Sequence, residues 1–226
     1  ELTIVAQGDI NISGSIYMAG DLKLRANASS GELNGGPLAA GAGNGSVNLF
    51  LMPSSFYKTA QPATPFPLEI KAKNVIIGGK DSVTGEVYGV KNLSLDASAT
   101  MDALQTFAQP GKSQRSDVII ESTGTLEAYL LGDLTMKAGL SRATTSGSGQ
   151  VLKNTAIAAM VGNDITIRGV RDASGINNTN ISLFGGDAAS DARAGGGAIA
   201  SSDAFMVAKN TKSIDIGGTL LLRGGK

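Results

Sequence analysis

Apolar residues two positions apart recur along the chain, each pair preceded by a short polar step. The unit is a polar or glycine pair followed by apolar, polar, apolar, as in Gly8-Asp9-Ile10-Asn11-Ile12 and Gly20-Asp21-Leu22-Lys23-Leu24. It returns at 73–77, 91–95, 116–120, 132–136, 163–167, 179–183 and 212–216, and in looser form at 45–49 and 218–222. Residues two apart share one face of an extended strand, and the residue between them faces the other way. The leading Gly, Asp or Asn supplies a corner, by accepting positive φ or by bonding the local backbone. A strand this short buries two or three side chains and is not stable alone, but stacked copies bury a continuous column of Ile, Leu and Val.

The spacing points to corners rather than hairpins. Between Leu2 and Leu24 the apolar pairs fall at 2/4, 10/12, 16/18 and 22/24. Steps of that size predict three short strands per turn and about 18–24 residues per coil of an all-β parallel β-helix (a β-solenoid). At ~4.8 Å between neighbouring strands, ten such coils span on the order of 50 Å. Longer intervals are expected as Gly/Ala/Ser-rich loops extruded from the corners, near 26–46, 97–115, 139–150 and 185–202. A fifth loop, near 52–67, differs in holding Pro53, Pro62, Pro65 and Pro67. A β-sandwich has similar strand spacing, but the repeated Gly-Asp/Asn corner favours the coil. Helix is expected only as a turn or two at 96–109, with a weaker candidate at 154–161.

Composition narrows the functional classes. The 226 residues include 31 Gly and 29 Ala but no Cys, His or Trp. Disulfides, Cys/His metal centres and histidine-based triads are thereby excluded. With 19 basic and 19 acidic residues the net charge is zero, which argues against a nucleic-acid partner. At 42% hydrophobic and 4% aromatic, the chain has the makings of an aliphatic core rather than of a disordered segment. No apolar run approaches the roughly 18 residues of a membrane-spanning helix.

The runs Gly8-Asp9-Ile10-Asn11-Ile12-Ser13-Gly14 and Gly132-Asp133-Leu134-Thr135-Met136-Lys137-Ala138-Gly139 resemble the filamentous haemagglutinin family. These are large secreted adhesins of Gram-negative bacteria, exported by the two-partner pathway. The likeness extends along most of the chain at the level of pattern. It implies a right-handed parallel β-helix and a single β-solenoid segment, 1–226, from the shaft of a longer protein. It also implies a secreted or cell-surface location and attachment to cells or matrix polysaccharide. The implied partners are a polysaccharide or cell-surface receptor, and an outer-membrane transporter during export. The family's amino-terminal secretion domain carries an Asn-Pro-Asn-type motif, and this chain has no Asn-Pro, so the resemblance points to an interior or distal part of the shaft.

Candidate chemistry is sparse. The corner acids Asp9, Asp21, Asp117, Asp133 and Asp164 read as turn residues, so no catalytic residue, cofactor or metal is expected. Gly185-Gly186-Asp187 with Asp191, and Gly78-Gly79-Lys80-Asp81, are imperfect fragments of a calcium-binding array and read as loops. Gly195-Gly196-Gly197 lacks the Lys-Ser/Thr of a phosphate loop. The candidate ligand-binding residues are Phe56, Tyr57, Lys58 and Phe66 in the Pro-rich loop, where three aromatics beside a lysine could stack on sugar rings. Two other classes stay open: a carbohydrate-active β-helix enzyme, and a self-assembling extracellular filament joined through its coil ends.

Overall fold

The computed structural model describes residues 1–39, 41, 44–51, 67–98, 114–144, 151–172, 174–191 and 197–225. The chain opens with β1 (Leu2–Val5), β2 (Ile10–Ile12), β3 (Ile16–Tyr17) and β4 (Leu22–Arg25), then a single helical turn, α1 (Ser30–Leu33). It continues through β5 (Val47–Phe50), β6 (Leu68–Ala72), β7 (Val75–Ile77), β8 (Gly79–Lys80) and β9 (Val87–Tyr88). Next come β10 (Leu93–Asp96), β11 (Gln114–Arg115), β12 (Val118–Ser122) and β13 (Thr125–Leu130). A fourth group holds β14 (Leu134–Lys137), β15 (Ser141–Thr144), β16 (Val151–Thr155) and the long β17 (Ala158–Gly169). The last is β18 (Ile181–Phe184), β19 (Ala188–Asp191), β20 (Gly197–Ser201), β21 (Ala204–Asp215) and β22 (Leu220–Arg223).

Among the described residues the protein is all-β with almost no helix, and strand pairing is parallel throughout, save for the small hairpin β8–β9. Three strand positions recur. The first forms a six-stranded sheet, β2-β5-β10-β14-β18-β22, in which Ile10, Val47, Leu93, Leu134, Ile181 and Leu220 stand opposite one another in turn. The second (β3, β6, β12) and third (β1, β4, β7, β13) positions meet in one nine-stranded sheet. They meet because β17 runs through both: Ala158–Val161 pairs with β12, and Asp164–Gly169 pairs with β13.

The alternation read from the sequence is the alternation of burial. In β5, β10 and β18 the first and third residues are buried and those between are half-buried. Leu22, Leu49, Leu93, Leu95, Leu126 and Leu134 are all fully buried in one continuous core. Apolar contact along these columns is the main stabilising term, at roughly 1.5–3 kcal/mol for each fully buried Leu or Ile.

The predicted 18–24 residues per coil is corrected. Leu2 stands opposite Leu22, but the other in-register partners lie 37 to 54 residues apart. The short unit is not one per repeat. Six of its copies (from 8–12 to 218–222) are first-position strands, four are third-position strands and that at 116–120 is a second-position strand. The additional length sits at two corners, so that 51–67, 97–117, 138–157 and 185–203 are insertions at one and the same place. Some of these insertions are themselves built of strands. The loop expected at 139–150 contains β15, and that at 185–202 contains β19 and β20. β15 pairs with β19, and β11, β16 and β20 form a three-stranded sheet of their own. The helix expected at 154–161 is the end of β16 and the start of β17, where Ala156, Ala158, Ala159 and Met160 are all buried. Most of the other helical candidate, 96–109, lies outside the described residues. Among the described residues the one helical turn falls in the loop at 26–46, with Ser29 capping it by accepting from the Glu32 N–H.

The corner residues do more than turn the chain locally. Asn92 Oδ1 accepts the backbone N–H of Asp133 (2.8 Å), and Asn180 Oδ1 that of Thr219 (2.8 Å). Asp133 Oδ1 in turn accepts from the side-chain amide of Asn180 (2.8 Å), and Asp9 Oδ1 from the Ser46 N–H (2.8 Å). A matching line runs through the third position, from Asp21 to Asn74 (2.8 Å) and from Asn74 to the Thr125 N–H (3.0 Å). Each of these bonds joins one repeat to the next. The glycines follow from this: a Cβ on Gly132 would stand 2.6 Å from Asn92 Oδ1 and 2.6 Å from the Lys91 carbonyl. Gly218 over Asn180 meets the same crowding.

Two substitutions test this lock by urea unfolding. Asn92→Ala removes the acceptor of the exposed Asp133 N–H and is expected to cost about 0.5–1.5 kcal/mol. Gly132→Ala forces a methyl against the neighbouring corner and is expected to cost about 1–3 kcal/mol. Val83→Ala, at a residue 92% exposed, should stay within about 0.5 kcal/mol. Values for Asn92 and Gly132 as small as that control would contradict the lock.

Candidate functional site

The residues expected to bind ligand, Phe56, Tyr57, Lys58 and Phe66, lie outside the described residues. What is described is how their loop is fixed at its ends. Leu51 and Leu68 are buried in the core, and the Ser15 hydroxyl donates to the Pro67 carbonyl (3.0 Å).

A network of charges holds the place where inserted segments return to the second position. Glu69 is almost wholly buried and accepts from the Tyr17 hydroxyl (2.8 Å) and the Arg115 guanidinium (2.9 Å), with Lys71 at 3.3 Å. Arg115 also reaches the buried Asp117 (2.9 Å), whose other oxygen accepts the Ile157 N–H (3.1 Å). Burial by itself would raise the Glu69 carboxyl's pKa. The bonds from Tyr17, Arg115 and Lys71 outweigh it and hold the group below its ordinary value.

A cleft of about 950 Å³ lies at the other corner, between the third strand position and the next first position. Its origin is the unequal length of successive connections. One wall is the β8–β9 hairpin and the opposite wall is the turn at 170–178. Between them the connection from β13 to β14 is only Leu131-Gly132-Asp133, and Leu131 and Gly132 form part of the floor.

Each wall is fixed by its own turn chemistry. In the hairpin, Asp81 Oδ1 accepts the N–H groups of Val83 and Thr84 (both 2.8 Å), which keep its carboxyl below the ordinary range. Gly85 closes the turn at φ +71°. Tyr88 follows, its hydroxyl donating to Glu86 (2.9 Å), and that bond raises the phenol's pKa. The Arg25 guanidinium stands 5.7 Å from the centre of the Tyr88 ring. Arg25 is itself buried, paired with Glu32 (3.1 Å) and donating to the carbonyls of Ala26 and Ala39. The ring therefore stacks with a fixed cation, and Tyr88 and Arg25 both line the cleft. In the opposite wall Asp172 Oδ1 accepts from the N–H groups of Ser174 (2.9 Å) and Ile176 (3.0 Å), and Arg171 donates to the Gly175 carbonyl (3.0 Å).

The cleft carries charge without a dominant sign. Apart from Arg25, which is committed to Glu32, its lining includes Lys91, Arg168 and Arg171 against Glu86, Asp172 and Asp215. Arg168 and Asp215 face each other at 3.9 Å. Behind them Tyr129 is buried and bonds Glu127, burial and that carboxylate both raising its pKa. An aromatic surface edged by planar donors and acceptors is suited to a ligand rich in hydroxyl groups, held by stacking and paired hydrogen bonds.

No single stretch of sequence holds these cleft residues. They come from positions 25, 86–91, 168–172 and 215, and only stacking of the repeats gathers them. Aligning the chain on its apolar pairs would have placed Tyr88, Leu131 and Val170 at equivalent corners, which is the signal that could have found the site. No family model, no curated protein and no solved structure matches this chain.

The Glu69 network sets an expectation for acid stability. A carboxyl held low in the folded state stabilises fully above its unfolded value, near 4.5, and that stability is lost as pH falls through the lowered folded value. Glu69→Gln is expected to lower stability at pH 7 by about 1–3 kcal/mol and to flatten its fall below pH ~4.5. Denaturation midpoints measured from pH 7 to pH 3 check this, and an acid limb as steep as that of the unaltered protein would contradict it.

Proposed function

We propose that the chain is a segment of a right-handed parallel β-helix that forms the shaft of a secreted bacterial adhesin of the filamentous haemagglutinin kind. The observation that carries this reading is the recurrence of the same three strand positions, each paired in parallel and in register with its counterpart one repeat later. Parallel neighbours require crossover connections, and crossovers of this type are overwhelmingly right-handed. Side chains of one kind then stack on themselves, and the unit extends by simple addition.

The adhesive role is supported by where variation falls. Strand positions repeat closely, whereas the insertions at the two corners differ in length and content. Loops on a rigid scaffold are where recognition residues are placed most often. In this reading the shaft carries such loops outward from the cell to a matrix polysaccharide or cell-surface receptor, after passing an outer-membrane transporter. Each strand-to-strand step is ~4.8 Å, so the six first-position strands cover on the order of 25 Å, half the span expected from the sequence pattern. The added length per repeat broadens the shaft and enlarges its lateral surface.

The adhesin reading is tested with antibody raised against residues 1–226. It is expected to label intact cells of the producing bacterium and to block their attachment to a polysaccharide-coated surface. Labelling confined to permeabilised cells, or undiminished attachment, would overturn it.

A further inference from the structure

We propose that the cleft between the β8–β9 hairpin and the turn at 170–178 is a binding site for a neutral oligosaccharide, with Tyr88 as its stacking surface. This assignment rests on the adhesin reading for its biological setting, but the argument for it is local.

The first element is shape. The cleft takes in Asn27, Tyr88, Leu131 and Val170, which belong to successive repeats, so it lies along the direction in which the repeats stack. A groove of about 950 Å³ running that way suits an extended chain better than a compact metabolite. The second element is the ring. Tyr88 has Arg25 over one face of its ring and Glu86 at its hydroxyl, so little side-chain freedom remains to be lost on binding. Aromatic faces present the apolar side of a sugar ring with a matching surface.

The third element decides the ligand's charge. Lys91, Arg168 and Arg171 balance Glu86, Asp172 and Asp215 across the cleft. A uronate or sulfated polymer would be drawn by the cations and repelled by the carboxylates at similar range. A neutral sugar meets neither penalty. Its hydroxyls both donate and accept, so carboxylates, ammonium and guanidinium groups can each serve.

The test is isothermal titration of the purified 226-residue protein with neutral hexasaccharides of glucose, mannose, galactose and N-acetylglucosamine, and with a uronic acid hexamer as the charged comparison. Saturable binding of at least one neutral hexasaccharide is expected, tighter than that of the uronate. Tyr88→Ala is expected to weaken it at least tenfold, Tyr88→Phe to retain most of it, and Lys91→Ala to weaken it severalfold. Because Lys91 is not part of the hairpin, its loss reports on the cleft even if Tyr88→Ala disturbs the hairpin. Thermal unfolding of each variant shows whether the fold is kept. No binding of any neutral hexasaccharide, tighter binding of the uronate, or unchanged affinity in a folded Tyr88→Ala or Lys91→Ala variant would overturn the proposal. Cell-surface labelling with no glycan binding would sink the cleft alone. Glycan binding by a protein found only inside permeabilised cells would sink the adhesin reading alone.

Discussion

Parallel strands of near-identical pattern face a register problem, because sliding one strand by a single residue would turn its core-facing side chains to solvent. The corner residues of this protein solve it. Asn92, Asp133 and Asn180 each send a side-chain oxygen to the following repeat, and the acceptor–donor pairs are met in one register only. The apolar columns then follow: once Asp133 is fixed over Asn92, Leu134 falls over Leu93 and Met136 over Leu95. Burial supplies most of the free energy, while the corners decide which side chains are buried together. The glycine before Asp133 belongs to the same device, since any larger residue would stand where the Asn92 side chain lies.

The strands were legible because two physical signals coincide at each of them. Alternation marks which residues face inward, and Gly, Asp or Asn marks where the corner falls. Ile10, Leu22, Leu93, Leu134 and Ile181 all head such units and are all buried. The length of a repeat was not legible from these signals. The unit at 20–24 looks like that at 8–12, yet they stand in different sheets. Nothing local to the strand tells a first position from a third. The distinction lies in what the corner bonds to, which is 37 or more residues away. Segments such as 188–191 and 197–201 were read as loops because Ala, Gly and Ser carry no alternation. They are strands because a neighbouring repeat offers β15 and β16 as partners.

The candidate site was hidden for a related reason. A cleft created by one short connection between two longer ones has no residue signature; it is a difference in length between repeats. Tyr88 looks like an ordinary strand aromatic, and Arg25 like the polar end of an alternating run. Their meeting depends on the hairpin at 79–88 folding back against the preceding repeat. The corner acids Asp9, Asp21, Asp133 and Asp164 read as turn residues, and their bonds run between repeats rather than within their own turn.

The absence of native cysteine allows the register to be measured directly. Asn11 and Asn48 point outward from neighbouring strands, with Asn48 donating to Asn11 at 3.0 Å, and Ser94 occupies the same place one strand further on. Adjacent positions lie within the Cα separation a disulfide needs, whereas two steps of ~4.8 Å exceed it. Under mild oxidation the pair Asn11→Cys with Asn48→Cys, and the pair Asn48→Cys with Ser94→Cys, are expected to cross-link within the monomer. Asn11→Cys with Ser94→Cys should not. Cross-linking of that last pair, or failure of the first two in a folded protein, would contradict the stacked, in-register arrangement on which the whole account stands.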